Sequence, residues 1–537
     1  MYTAPFTKAR SAVSVMALVI GSRVERRAYR GPTRLCSPDH PRSEDLVRRI
    51  IALFGITVAA ATLATPVERA TAGAGPVQLT VMTFNIWYGA SQTHGLDEVV
   101  EAIERAGADV VGMQEPYTRL RRIANALGFH ASPRMHVISR FPILEPSGSD
   151  GDWALLLLAP GQVAAIMNTH LSATPYTPYR IVNRGFDRPT ILEQERRARM
   201  RRITKELERL RPILDAGIPT FFTGDFNSPS YRDWTRPAVQ ARGLPYPVRW
   251  PASLAMEEAG FVDSYRAAHP DPVADPGFTW SPGYPAPFVY PWDVFDRIDF
   301  VWAAGPVEVI SSSVVGESRA NADIVVRPYP TDHRGVASTF ELTPAPAPVF
   351  AVAEDERARL GNPLNVRFHA PGGAGERVSL LDDAGALVSD RPTGAQDGTV
   401  TFDTAGLEQG DYEVVLEDGT GADLARDGVV LVDGDQPPTL TLGDRTLRDD
   451  QPLEVTWSYG PGNRYDWLAI FRAGEPTRGG TILHWRYVDG AVSGVSRFGG
   501  TTRGEGDWPL EPGRYELRLC LDDSYRCRVE QAFRVVA

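Results

Sequence analysis

Six apolar runs between residues 80 and 335 break off into a carboxylate, an amide or a histidine, and this limits the fold more than any other feature. They are TFNIW with Asn85, GMQEP with Glu115, MNTHLS with Asn168 and His170, TGDFN with Asp225 and Asn227, DRIDFVW with Asp299, and PTDHRG with Asp332 and His333. Asp and Asn are common where any strand stops, because their side chains bond nearby backbone in turns. One such break needs only a turn. Six that together supply carboxylates, amides and two histidines predict strand ends converging on one pole of a sheet, where sites are usually built.

Around these runs, β-like segments alternate with helical ones over about residues 76–342. LDEVVEAIERAG (96–107) has apolar residues at helical spacing, and VVGMQE (110–115) follows as a buried strand. ILEQERRARMRRITKELERL (191–210) predicts a long charged helix with Ile191, Leu192, Met200, Ile203 and Leu207 on its core side. Glutamates interspersed among its arginines suit a solvated face rather than a nucleic-acid surface. TPAPAP (343–348) reads as a proline-rich linker. Beyond it helical periodicity fades and turn signals crowd in, as in β-sandwiches. PLNVRF (363–368) echoes PLEVTW (452–457), and LEQGDYEVVL (407–416) echoes LEPGRYELRL (510–519). Two tandem sandwich modules, 349–433 and 437–537, are expected.

Near the N-terminus, Arg48 and Arg49 precede a 16-residue apolar run, Ile50 to Thr65, and Ala70-Thr71-Ala72 fits the small-residue rule for signal cleavage. The run is short for a membrane span, which needs about 20 apolar residues. A signal peptide over 47–72 and a secreted, extracellular protein are expected, with an uncleaved membrane anchor as the alternative. Residues 1–46, arginine-rich and aperiodic, read as a non-native or extended leader, with translation starting near residue 47. Cys36 lies in that leader, leaving Cys520 and Cys527 around LDDSYR. A hairpin turning at Asp523-Ser524 sets the two opposite each other, close enough for a disulfide that an oxidising compartment preserves. Two free thiols are the alternative. The net charge of -11 argues mildly against a protein built to hold long nucleic acid.

The residues at the six breaks suit phosphoester hydrolysis. Oxygen ligands such as Glu115 and Asn85 suit a hard cation like Mg²⁺, with Mn²⁺ or Ca²⁺ as substitutes. A histidine paired with a carboxylate suits activation of water, because the carboxylate fixes the tautomer and stabilises the imidazolium. Zinc is disfavoured, since no paired-histidine or cysteine spacing is present.

In this order the motifs resemble the endonuclease/exonuclease/phosphatase superfamily, the DNase I-like metal-dependent phosphoesterases. The resemblance spans roughly residues 78–340, and VISRFPI (137–143) fits the family strand after the second motif. It implies a four-layer α/β/β/α sandwich in which Glu115 and Asn85 occupy metal positions. Asp225 and Asn227 then match the pair that meets the phosphate and the nucleophilic water. His333 matches the catalytic histidine, Asp299 the acid that orients it, and Asp332 the neighbouring acid, sometimes a metal ligand. His170 matches a histidine that contacts the phosphate or protonates the leaving oxygen.

Asn168, Tyr176, Arg180 and Trp280 are the candidates for substrate contact, although Asn168 suits a structural amide first. The segment 276–296 is dense in aromatics: Phe278, Trp280, Tyr284, Phe288, Tyr290, Trp292 and Phe295. These suit stacking on bases, lining a pocket for an organic alcohol, meeting a lipid surface, or packing under their own prolines. His94, His130, His136, His269, His369 and His484 match no motif. The expected protein is an α/β enzyme with two all-β sandwiches behind it, hydrolysing a phosphodiester or small phosphomonoester as a monomer. An extracellular nuclease, for which nucleic acid is only a substrate, a sphingomyelinase-like phospholipase, and a catalytically silent binding protein are the alternatives. Trp467, Trp485 and Tyr487 leave polysaccharide or cell-wall contact open for the C-terminal modules, beside a plain core role.

Overall fold

The computed structural model describes residues 75–537 apart from His94, Ser147, Asp150, Asp435, residues 449–450, residues 500–507 and Ala537. The expected leader, the signal segment, the cleavage site and Cys36 lie outside the described residues. Among the described residues no helix is long and apolar enough to cross a membrane.

Two sheets carry the α/β block. The first runs Ile324–Val325, Val307–Gly316, Gly335–Leu342, Val77–Asn85, Val110–Gln114, Val137–Ser139, His130–Ser132. The second runs Ile143–Leu144, Trp153–Ala159, Gln162–His170, Thr220–Asp225, Asp299–Ala304, Val262–Asp263. Side chains alternate across a strand, so successive apolar residues face different layers. Leu79, Val81, Val110, Ile166, Phe221, Val301 and Phe340 form the core between the sheets. Met82, Phe84, Val111 and Met113 turn outward under helices Asp97–Ala106 and Leu120–Leu127. Met167, Phe222, Phe300 and Trp302 turn outward under Arg201–Asp215 and Pro251–Glu258. The result is the four-layer α/β/β/α sandwich. Gly112 leaves no room for a side chain between the sheets near their polar end: a Cβ there would collide with Thr223 Oγ1 and Asn168 Oδ1.

The charged helix over 191–210 differs from its expected form. It runs as Arg188–Glu195, a π-turn at Arg196–Met200, and Arg201–Asp215. Ile191 and Ile203 are buried as expected, but so are Arg199 and Glu195, which pair at 2.6 Å. Glu195 also accepts from Ser228 Oγ at 2.8 Å, and Glu206 accepts from Thr169 Oγ1 at 2.8 Å. The helix is thus bolted by its acids to the strand ends, a role that its charge pattern concealed.

Ala74–Ala537 is one compact unit, in which the proline-rich stretch is not a free tether. Ala345–Pro346 pairs along the edge of Gln162–His170. Proline suits such an edge, because its missing N–H removes nothing from the ladder there. Two β-sandwiches follow, each a three-stranded sheet on a five-stranded one in the same strand order. Leu364–His369 and Leu453–Ser458, which carry the first echoed motif, hold the same central place in the two three-stranded sheets.

Candidate active site

Strand register builds the first half of the site. Parallel pairing of Gln162–His170 with Thr220–Asp225 sets His170 opposite Asp225. Antiparallel pairing on the other side sets Asp299 opposite the same Asp225. Three residues from separate motifs therefore stand side by side at one sheet end. Asn85, at the end of its strand in the facing sheet, donates from Nδ2 to Asp225 Oδ2 at 3.0 Å, and its Oδ1 accepts from Trp87 N at 3.1 Å. The turn after Asp225 closes when its Oδ1 accepts from Asn227 N at 2.8 Å, with Asn227 at φ 49°. Asn227 Nδ2 donates to Leu171 O at 3.1 Å.

His333 arrives from the loop before Gly335–Leu342. Its Nδ1 lies 3.0 Å from Asp299 Oδ2, and its Nε2 lies 3.7 Å from Asp225 Oδ2. His170 Nε2 lies 3.4 Å from the same Asp225 oxygen. Thr279 Oγ1 accepts from Ile298 N and Asp299 N at 3.0 and 3.2 Å, fixing the acid that orients the ring. Thr331 Oγ1 donates to Asn85 O at 2.8 Å and accepts from His333 N at 3.3 Å, tying the histidine loop to the facing sheet.

Burial disfavours charge on His333, yet the facing carboxylates of Asp299 and Asp225, with Asp332 behind, carry its pKa up to about 10. Burial likewise opposes charge on His170, and Asp225 with Glu115 more than offsets it, raising the imidazole. Asp225 is pushed up by burial but ends below its ordinary value, because His333, His170 and the Asn227 N–H favour its anion. Without a bound cation, His333 is therefore an imidazolium clamped between two acids.

Glu115 follows Gln114 with φ 57°, a left-handed turn that leaves its carboxylate half-buried beside the pole. Oε2 accepts from Tyr88 N at 2.9 Å, and the backbone carbonyl accepts from Gly89 N at 2.8 Å. Asp332, buried, has a pKa raised to about 7; burial leads, His333 opposes, and the charges of Glu115 and Asp225 add. A buried Asp332 raised by the neighbouring charges of Glu115 and Asp225 fits a hard divalent cation, which would relieve that repulsion. The tightest group of ligand-type atoms among the described residues is a different one: Asp225, Asp299 and His333, within 4.8 Å of one another. Within that group His333 Nδ1 and Asp299 Oδ2 are hydrogen-bonded at 3.0 Å, while Asp225 Oδ2 stands 3.7 Å from His333 Nε2.

Of the four substrate-contact candidates, the structure brings Trp280 to the pole with the Tyr176 ring beside it, and turns Asn168 and Arg180 elsewhere. Trp280 forms backbone bridges with both Asp296 and His333. Asn168 is corrected to a structural residue. Its Nδ2 donates to Met113 O, Met135 O and His136 O, while Oδ1 accepts from Gln114 Nε2 and Thr223 Oγ1, so its polar capacity is spent. Tyr176 turns its hydroxyl onto buried Asp296 at 3.0 Å and presents only its ring, 5.1 Å from Trp280. Arg180 donates to Gln194 at 2.9 Å and lies over Phe186, satisfied within its own helical layer instead of at the pole.

Sequence reasoning missed the rings beside Glu115. Tyr88 and Tyr117 stack at 5.5 Å, and Trp87 meets Tyr284 edge-on at 6.0 Å. The clue in TFNIWY was present, since aromatic residues directly follow the polar break, but only the turn geometry aims them. It also missed His136, whose role depends on a contact almost four hundred residues away. Its Nε2 lies 3.0 Å from Asp522 Oδ1, |i−j| = 386. Of the 276–296 aromatics, Tyr290 stacks on Trp292 at 4.9 Å, while Phe288 and Trp292 remain exposed.

Residues 82–333 match the model of the Endonuclease/Exonuclease/phosphatase family. An uncharacterized protein of Caenorhabditis elegans is 29% identical over 299 residues, 48% of this chain and 90% of that protein. Among solved structures, an endonuclease/exonuclease/phosphatase from Beutenbergia cavernae DSM 12333 aligns at 18% identity over 66% of this chain and 100% of that one, with a TM-score of 0.33. TDP2 from C. elegans aligns at 17% identity over 49% of this chain and 75% of that one, with a TM-score of 0.30.

Proposed function

We propose, from the premise that residues 82–333 belong to the Endonuclease/Exonuclease/phosphatase family, that this chain is an exported, Mg²⁺-dependent hydrolase of a phosphodiester or small phosphomonoester. The observation that carries the reading is His333, oriented through Nδ1 by Asp299 and facing through Nε2 the Asp225 oxygen that His170 also meets. An isolated histidine at a strand end does not need two buried acids. A histidine that must hold and move a proton beside a phosphoryl group does.

Glu115 and Asp332, with the Asn85 amide beside them, would hold the cation. Once bound, it supplies charge that stabilises the phosphoryl oxygens and, by offsetting the carboxylates, lowers the pKa of His333 toward neutrality. Neutral His333 then presents Nε2 as the acceptor for the attacking water's proton, while Asp299 holds the tautomer and stabilises the imidazolium that forms. Asn85 and Asn227 hold Asp225 in place from either side, so the phosphoryl group meets a fixed carboxylate and amide edge. His170, raised toward its protonated form, binds a phosphoryl oxygen or gives its proton to the leaving alcohol.

The test is one substrate panel run with Mg²⁺, with EDTA, and with His333→Ala. It holds an aryl phosphomonoester, an aryl phosphodiester, duplex and single-stranded DNA, RNA and sphingomyelin. Expected is hydrolysis of a small ester that needs both the metal and His333. Activity on none of these, or activity indifferent to EDTA and to the substitution, would overturn the mechanism. The stacked Tyr88 and Tyr117 favour a nuclease as the second reading, because aromatic faces accept bases; DNA cleaved far faster than the aryl diester would promote it. Export is supported by the apolar run Ile50 to Thr65, the small-residue motif Ala70-Thr71-Ala72 after it, and the Cys520–Cys527 disulfide. A mature N-terminus well before Gly73 would sink it.

A further inference from the structure

We propose that the second sandwich is part of the catalytic pole. Its disulfide-closed loop, residues 521–526, walls one side of the cleft, and there Asp523 and Tyr525 favour a short phosphate ester over polyanionic nucleic acid. The substrate half of this proposal rests on the phosphoesterase reading above; the docking of the loop does not.

The loop is anchored to the residues that build the site. His136 and Asp522 pair at 3.0 Å with side chains 3% and 1% exposed. Arg464 N donates to Pro133 O and its Nη1 to Met135 O, each at 3.1 Å. The 133–136 turn that receives these bonds is itself held to the pole. His136 O accepts from Met113 N at 2.8 Å, two residues before Glu115, and from Asn168 Nδ2 at 3.2 Å, two residues before His170. The tip therefore docks on the backbone from which Glu115 and His170 project.

Inside the loop, Asp523 N donates to Tyr465 O at 2.9 Å and its Oδ1 accepts from Tyr487 OH at 2.6 Å. Tyr465 in turn meets His136 edge-on at 5.3 Å. The disulfide between Cys520 and Cys527 closes the loop's base. The charges of the docked tip also reach residues of the pole. Asp523 is raised to about 7 by burial first, and His170 and Glu115 both act on it, although they belong to the other domain. Asp523 and Tyr525 act on Tyr88, and Asp522 and Asp523 on Tyr117, the two stacked rings beside Glu115. Tyr525 stays exposed. An acid within charge range of Glu115, and an exposed ring near Tyr88, place negative charge where a duplex would lay its neighbouring phosphates.

The test compares the wild type with Asp523→Asn, Tyr525→Ala and the double variant, all in the full chain at pH 8. Asn keeps an oxygen for Tyr487, and Tyr525 is exposed, so thermal melts should coincide. The first readout is the ratio of kcat/KM for a duplex oligonucleotide to that for an aryl phosphodiester, with Mg²⁺. The second is the fluorescence anisotropy of the same labelled duplex in EDTA across a salt series, which needs no turnover. Expected in the double variant are a ratio raised about tenfold and duplex binding about fivefold tighter at low salt, converging with wild type as salt rises. An unchanged ratio or unchanged anisotropy overturns the wall. A wild type that hydrolyses nothing overturns the phosphoesterase reading instead, and the anisotropy series still decides the wall.

Discussion

The two sandwiches carry equivalent hairpins that end differently. In the first, strands Gly410–Glu417 and Asp423–Val432 are joined by a tip that satisfies itself: Asp418 Oδ1 accepts from Thr420 N, Thr420 Oγ1 and Ala422 N at 2.7, 2.7 and 2.9 Å. Its residues 419–422 are exposed. In the second, strands Gly513–Cys520 and Cys527–Val536 occupy the same sheet positions, but Leu521 and Asp522 are buried and Asp522 meets His136 of the catalytic block. The architecture supplies a hairpin at that corner in both copies. An aspartate bonded only to its own turn leaves one in solvent, and an aspartate matched to a distant histidine docks the other. The fold repeats while the function of the corner does not.

The comparison can be broken in order of effect. The largest change should ignore both hairpins: His333→Ala is expected to lower kcat on an aryl phosphodiester by about 10³-fold, the scale of a lost acid–base group. Asp522→Ala should cost about 2 kcal/mol of unfolding free energy in urea, because it leaves buried His136 without its partner. The equivalent Asp418→Ala should cost far less, since its exposed partners regain water. Equal losses at the two sites would erase the distinction.

A smaller effect separates pole from periphery. Asp299→Asn removes an anion that raises the His333 pKa, so the acid limb of the Mg²⁺-supported rate profile should move to lower pH, by about one unit, alongside a lower rate. An unmoved limb would detach that limb from His333. The smallest is the pH dependence of stability in EDTA. Asp427 in the first sandwich and Asp466 in the second are each raised to about 7, chiefly by burial. Their unfolded values lie near about 4, so the folded state binds the extra protons. This contribution is full below about 4 and is lost as pH rises to about 7. The melting temperature should therefore fall between pH 5 and pH 8, and Asp427→Asn with Asp466→Asn should flatten that fall.

Much of the site was legible because strands are short-range objects. Period-two apolar runs dictate which residues lie between sheets, and a polar residue that ends such a run must sit at a sheet edge. That reasoning, with the order of the motifs, reached Asn85, Glu115, His170, Asp225, Asp299 and His333, which the structure gathers at one pole. It overreached at Asn168, because a buried amide and a substrate-facing amide look alike in sequence until their partners are counted. Arg180 turned away for a related reason: a long polar side chain on the helix Thr177–Arg184 reaches a neighbouring helix as readily as a ligand.

By itself the sequence determined the strand and helix alternation, the two repeated sandwiches, the cysteine hairpin and the residue types of a phosphoester site. These follow from local periodicity, turn chemistry and motif order. Tertiary structure alone decided the register that sets His170 and Asp299 on either side of Asp225, the facing carboxylates that raise His333 against its burial, and the aiming of Tyr88 and Tyr117. It also decided that His136 would meet Asp522. Each depends on groups far apart in the chain sharing one low-dielectric space, where their charges act on one another strongly, and no local pattern encodes that proximity.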